Sequence, residues 1–113
     1  VKYMILIHLN PALRAIWEGF TDAERAEGYR IHAEFTKRLQ ASGEYIASAA
    51  LADPAQGVRI DATDGPFAEA KEYLAGFYLV ECDSRDRAVE LAAQLPEAAL
   101  GMVEVRPVAE LAE

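Results

Sequence analysis

The sequence predicts an α+β domain in which an antiparallel sheet, in the chain order βαββαβ, carries both helices on one face. Three observations lead there. Strand-like apolar runs at residues 1–9, 44–51, 74–81 and 102–108 are interrupted by two segments of helical spacing. Each helical segment follows an N-cap signal. A length of 113 residues with 52% hydrophobic and 27% charged residues is enough for one core, and the chain reads as a single domain over residues 1–113.

In the first run Tyr3, Ile5 and Ile7 alternate with Met4, Leu6 and His8, so both faces of the strand are mainly apolar. Asn10-Pro11 closes it, and residues up to Phe20 read as an irregular or weakly helical connection carrying the only Trp, Trp17. Thr21-Asp22-Ala23-Glu24 is a capping-box signature, opening a helix with Ile31, Phe35 and Leu39 on its apolar stripe and Gly43 just past its end. Residues 44–51 form the second strand. Asp53-Pro54 with Gly57 marks a turn, and residues 58–62 are expected to return as a short strand or hairpin arm. In the run 74–81, Phe77 and Leu79 oppose Gly76, Tyr78 and Val80. Asp83-Ser84 caps a second helix, with Ala88, Leu91, Ala92 and Leu95 at helical spacing before Pro96 ends it. In the last strand Val103 and Val105 oppose Glu104 and Arg106. With both helices on one side, the other sheet face is left uncovered, and an apolar face of this kind implies a homodimer joined sheet to sheet.

Eleven basic against nineteen acidic residues give a formal charge of −8, which repels phosphate backbones and anionic membrane surfaces, so neither nucleic acid nor a membrane is an expected partner. Cys82 is the only cysteine and cannot form an internal disulfide. Residues 1–6 read as a strand rather than a signal segment, so a reducing cytoplasm is expected. No apolar run approaches the roughly 20 residues that span a bilayer.

The stretch Asp64-Gly65-Pro66-Phe67-Ala68-Glu69-Ala70-Lys71-Glu72 stands apart. Asp-Gly and Gly-Pro break regular structure, Phe67 offers an anchor, and four ionisable side chains crowd together, which is the composition of a polar site on an ordered loop. With Leu74, Gly76-Phe77-Tyr78 and the closing Val103-Glu104-Val105-Arg106-Pro107-Val108, this stretch resembles the YCII-related family, in its branch named for the DGPF motif. Eight of nine residues match the motif DGPFAETKE, and Lys2-Tyr3-Met4 resembles the family's first strand. The resemblance implies a ferredoxin-like fold pairing into a dimeric α/β barrel, small-molecule lyase-like chemistry within the wider superfamily, and a His with an Asp as the active pair. Two departures stand out. Ala70 replaces the usual Thr and removes a hydroxyl, and Ala75 replaces the usual Gly at a strand start.

His32 is the sharpest candidate. At 100° per residue it lies within roughly 20° of Leu39 and 60° of Phe35 around the helix, and therefore faces the sheet. If Asp64 accepts from one ring nitrogen, the other can carry a proton near neutral pH. The plainer readings are a core histidine satisfied by backbone or water, and an Asp64 that only accepts from its own turn. Phe67, Glu69, Lys71, Tyr78 and Arg106 are the candidate substrate contacts, with Arg106 or Lys71 neutralising an anionic group. Glu69, Lys71 and Glu72 read equally as a solvated rim, and Arg106 with Glu104 as cross-strand or cross-dimer partners. His8 reads as an interface residue; Trp17, Phe20, Tyr45 and Tyr78 are candidates for an apolar pocket or the core. No cofactor and no metal are expected, since the chain has no phosphate loop, nucleophile elbow, dinucleotide fingerprint or clustered ligand spacing. Two functions remain: cofactor-free acid/base chemistry with His32 and Asp64, or a non-catalytic ligand-binding or regulatory dimer.

Overall fold

The fold was obtained as a computed structural model, which describes residues 1–60 and 71–111. Four strands, β1 (Lys2–Leu9), β2 (Tyr45–Ala50), β3 (Tyr73–Glu81) and β4 (Val103–Pro107), form one open sheet in the order β2-β3-β1-β4 with every neighbour antiparallel. Three helices complete the described chain: α1 (Pro11–Glu18), α2 (Asp22–Ser42) and α3 (Arg85–Ala92). The α+β class, the antiparallel sheet and the positions of the four strands agree with the sequence.

The alternation in β1 decides the layers. Tyr3, Ile5 and Ile7 pack with Phe35 and Leu39 of α2, Leu91 of α3, and Tyr78 and Val80 of β3, all at most 7% exposed. Register carries this face across the sheet: Ile5 pairs with Tyr78 on one side and Val105 on the other. The opposite face bears Met4, Leu6, Phe77 and Leu79, together with Glu104 and Arg106, which pair with Leu6 and Met4. There, His8 Nε2 lies 3.2 Å from Glu104 Oε1, and Arg106 donates to Glu104 Oε2 at 2.7 and 2.9 Å.

The capping box of α2 is complete: the Glu24 amide donates to Thr21 Oγ1 at 3.1 Å and the Thr21 amide to Glu24 Oε1 at 2.8 Å. Gly43 ends the helix at φ +79°, where any other residue would be strained. In α3, Ser84 Oγ accepts from the Arg87 amide, and Arg87 forks onto both Glu44 oxygens at 2.9 Å, tying the helix to the start of β2.

Three expectations are corrected. The connection after β1 is a regular helix, because the Asn10 side chain accepts from the Leu13 amide at 2.8 Å and Pro11 occupies the first helical position, where its missing N–H costs nothing. Residues 58–60 are not a strand. The Asp53 carboxylate caps a single 3₁₀ turn, Pro54–Gln56, β2 pairs directly with β3, and Val58 and Ile60 are 80% and 86% exposed. Finally, α3 stops at Ala92 rather than running to Pro96; Pro96 instead opens a second 3₁₀ segment, Pro96–Leu100, closed by Gly101 at φ +71°.

Close packing between β2 and β3 gives one further test. A Cβ on Gly76 would meet the Ala49 carbonyl oxygen at 2.9 Å, a backbone atom that cannot rotate away. Gly76→Ala is expected to destabilise by about 1–3 kcal/mol, the usual cost of overpacking, and thermal denaturation measures it.

Candidate functional site

Three side chains from distant parts of the sequence meet at one end of the helix layer. His32 lies on the sheet-facing side of α2, one turn before Phe35. Tyr78 comes from β3, and Glu97 from the 3₁₀ segment after α3. His32 Nδ1 is 2.8 Å from Tyr78 Oη, and His32 Nε2 is 2.7 and 3.1 Å from the two Glu97 oxygens. The two rings are stacked, 10° from parallel with centroids 6.0 Å apart, while Phe35 meets Tyr78 edge-on at 4.9 Å. Core packing therefore fixes the phenol, and the phenol with the carboxylate fixes the imidazole. Thr36 Oγ1 donates to the His32 carbonyl at 3.1 Å within the same turn of α2.

The hydrogen-bond pattern has two consistent states. With Nε2–H donating to Glu97, a neutral His32 accepts the Tyr78 hydroxyl at Nδ1; a charged His32 donates from both nitrogens, and the Tyr78 hydrogen is then released toward another acceptor. Tyr78, His32 and Glu97 thus form a chain along which one proton can be passed. Burial of Glu97 pushes its carboxyl up, but the hydrogen bond and charge of His32 outweigh it and hold the group below the usual carboxylate range. Burial dominates at Tyr78 and raises the phenol; a contact with Thr36 opposes this, and the Glu97 charge reinforces it. The Tyr78 phenol is therefore held in its neutral form.

Because folding lowers the Glu97 carboxyl from its ordinary 4.5, its pairing contributes stability above that pH which is lost as the pH falls through the folded value. The melting temperature is expected to fall more steeply for the unaltered chain than for Glu97→Gln between about pH 5 and pH 3.

The trio opens on a cavity of about 240 Å³, lined also by Ile7, Leu9, Tyr29, Phe77, Ser48–Ala50, Ala75 and Gly76. Among the described residues its other polar side chains are the hydroxyls of Tyr29 and Ser48. Its volume lies below the ~300–1,000 Å³ of drug-sized sites, which suits a small, mainly apolar molecule.

Of the residues expected from the sequence, His32 and Tyr78 are brought together. Asp64, Phe67 and Glu69 lie outside the described residues, so the expected pairing of His32 with Asp64 does too; both ring nitrogens of His32 are engaged by Tyr78 and Glu97. Lys71 is exposed just before β3. Arg106 is not brought to His32: its register with Met4 puts it on the other sheet face, held by Glu104. Among the described residues, no group of three or more His, Cys, Asp or Glu is arranged to hold a metal ion, and no helix is long and apolar enough to cross a membrane. Glu97 was missed by sequence reasoning. It stands 65 positions from His32 with no spacing that links them, and its only local mark is Pro96 before it.

The sequence model of the YCII-related domain matches residues 1–112. An uncharacterised protein of Rhizobium meliloti (strain 1021) is 54% identical over 48 residues, a stretch spanning 41% of this chain and 39% of that relative's length. Among solved structures, a 5-chloro-2-hydroxyhydroquinone dehydrochlorinase from Burkholderia phenoliruptrix AC1100, in complex with 2,5-dihydroxybenzoquinone, aligns with a TM-score of 0.58 at 15% identity. The alignment covers 96% of this chain and 94% of that one. At that identity the likeness is one of fold.

Proposed function

The chain belongs to the YCII-related family, and from that premise we propose that it performs cofactor-free acid/base chemistry, lyase- or isomerase-like, on a small unsaturated or aromatic molecule. The observation that carries this reading is the unbroken Tyr78–His32–Glu97 chain in the wall of an apolar cavity. His32 is the proton carrier. Glu97 fixes its tautomer and accompanies its charge, and Tyr78 presents or accepts the hydrogen at the substrate. The fold neighbour's name supports the class, since a dehydrochlorinase removes a proton and a chloride from a small ring. Asp64 is proposed to share the acid/base work with His32, and Phe67, Glu69 and Lys71 to contact the substrate.

The working unit is proposed to be a cytoplasmic homodimer joined through the face of Met4, Leu6, Phe77 and Leu79. His8, Glu104 and Arg106 would lie in that interface, and Arg106 is assigned there rather than to the substrate. A sedimentation mass of one chain at micromolar concentration would remove the dimer.

A second reading, a non-catalytic ligand-binding or regulatory dimer, is favoured by the engagement of both His32 nitrogens and by Ala70 in place of the family's Thr. Incubating the chain in deuterium oxide with a panel of small phenols and enolisable ketones separates the two. Chemistry predicts deuterium in a ring or α position, dependent on His32, read by mass spectrometry. Saturable binding of a panel member with no exchange above the buffer rate would favour the binder and overturn the enzyme.

A further inference from the structure

A second cavity, of about 390 Å³, lies against the first between α1 and the 3₁₀ segment Pro96–Leu100. Its walls include Ile16, Trp17, Phe20 and Leu100, and among the described residues Glu97 is the one charged side chain that lines it. Two residues, Leu9 and Glu97, line both cavities. An aromatic pair also stands at their boundary: Trp17, on the second cavity, meets Tyr29, on the first, edge-on with centroids 5.4 Å apart.

The position of Trp17 is built into α2. Gly28 interrupts that helix at a cost near 1 kcal/mol relative to Ala, and a Cβ there would lie 3.0 and 3.2 Å from two indole carbons. The glycine makes the seat for the ring. Arg25 holds the end of α1 from the same helix, donating to the Phe20 carbonyl at 2.5 Å and to those of Glu18 and Trp17 at 3.4 and 3.5 Å. Yet Ile16 and Leu100, on the rim of this fixed groove, are 56% and 57% exposed, and Phe20 is 36% exposed. Apolar side chains positioned this firmly and left open form a surface for an apolar group.

We propose that the α1 groove binds the apolar substituent of the same ligand whose polar ring engages His32 and Tyr78, so that the ligand is a two-part molecule, a small phenolic or enolic head bearing an alkyl or aryl group. This rests on the reaction cavity proposed above. The shared walls select this occupant, because a substituent on a ring at His32 needs only to pass Leu9 and Glu97 to leave water for the groove. A groove that bound an unrelated partner would not need a wall in common with the proton carrier.

Calorimetry with 2,5-dihydroxybenzoquinone and its 3-hexyl derivative tests the inference. Nitrogen-15 NMR follows the His32 ring and the indole of the single Trp17, and His8→Gln assigns the two histidines. The hexyl compound is expected to bind at least about tenfold tighter, through burial of its methylenes. Both compounds are expected to shift the His32 signals and only the hexyl compound the Trp17 indole. In Ile16→Glu and Leu100→Glu, both at exposed positions, the affinity ratio is expected to fall toward one. A ratio near one in the unaltered chain, or a ratio that both substitutions leave intact, with His32 still shifted, overturns the groove and leaves the reaction cavity standing. No shift of His32 by either compound overturns the reaction cavity and the two-part ligand together.

Discussion

His32→Gln is expected to lower His32-dependent deuterium incorporation by about 10²–10⁴-fold, the usual worth of a positioned general acid or base, while the chain still folds. The substitution is chosen for what it keeps. The Gln amide nitrogen can donate to Glu97 as Nε2–H does, so the half-buried carboxylate is not stranded, and the amide oxygen can accept the Tyr78 hydroxyl at the place of Nδ1. It loses only the ability to take up and release a proton. Unchanged far-ultraviolet dichroism and a melting temperature within a few degrees would show that the scaffold is intact. An unchanged exchange rate would remove His32 as the carrier and leave the binding reading. His32→Ala makes a useful contrast: it also strands Glu97, so it should melt lower than His32→Gln.

Phe35→Ala is expected to cost about 3–5 kcal/mol, the range for deleting a buried phenyl ring. Phe35 is 1% exposed and sits at the centre of the cluster that joins α2 to the sheet. For a domain of this size the loss corresponds to a fall of more than about 10 °C in melting temperature, and it consumes a large part of a typical folding free energy. Function should suffer separately from stability. Phe35 supplies the edge-on contact that holds the Tyr78 ring 4.9 Å away, so at temperatures where the variant is still folded the phenol should lose its fixed distance from His32. Phe35→Leu fills most of the space and is expected to cost less than about 1.5 kcal/mol. It removes the ring contact all the same, and so it separates the two effects. Equal exchange rates per folded molecule in the unaltered and Leu chains would mean that the ring contact does not position Tyr78.

The two substitutions act at the middle and at one end of one arrangement. The core carries its rigidity through Phe35 to Tyr78, and the 3₁₀ segment supplies Glu97 from the other side, with His32 held between. Glu97 also walls the α1 groove, so its replacement is expected to affect both cavities.

Much of the fold was legible in the sequence because its signals are local. Thr21 with Glu24 announces the start of α2 and Gly43 its end through contacts only a few residues long. The alternation in β1 and β4 sorts side chains between faces because a strand has a period of two. Elsewhere one local signal serves two structures. Asn10-Pro11 caps a helix as well as it closes a strand. Val58 and Ile60 look like strand residues but follow a 3₁₀ turn and pair with no strand among the described residues.

By itself, the sequence determined the order of the four strands and the two capped helices, the apolar face that makes the core, the family through the motif beginning at Asp64, and His32 as a polar residue on a buried stripe. Only the tertiary structure decided what His32 meets. Glu97 and Tyr78 arrive from 65 and 46 positions away, carried by a 3₁₀ turn and a central strand whose directions depend on how α3 and the sheet pack. Packing alone likewise shows Gly28 to be the seat of Trp17. Periodicity fixes which way a side chain faces because that depends on a few neighbouring residues. The partner across the layer depends on the packing of the whole chain, and no short spacing encodes it.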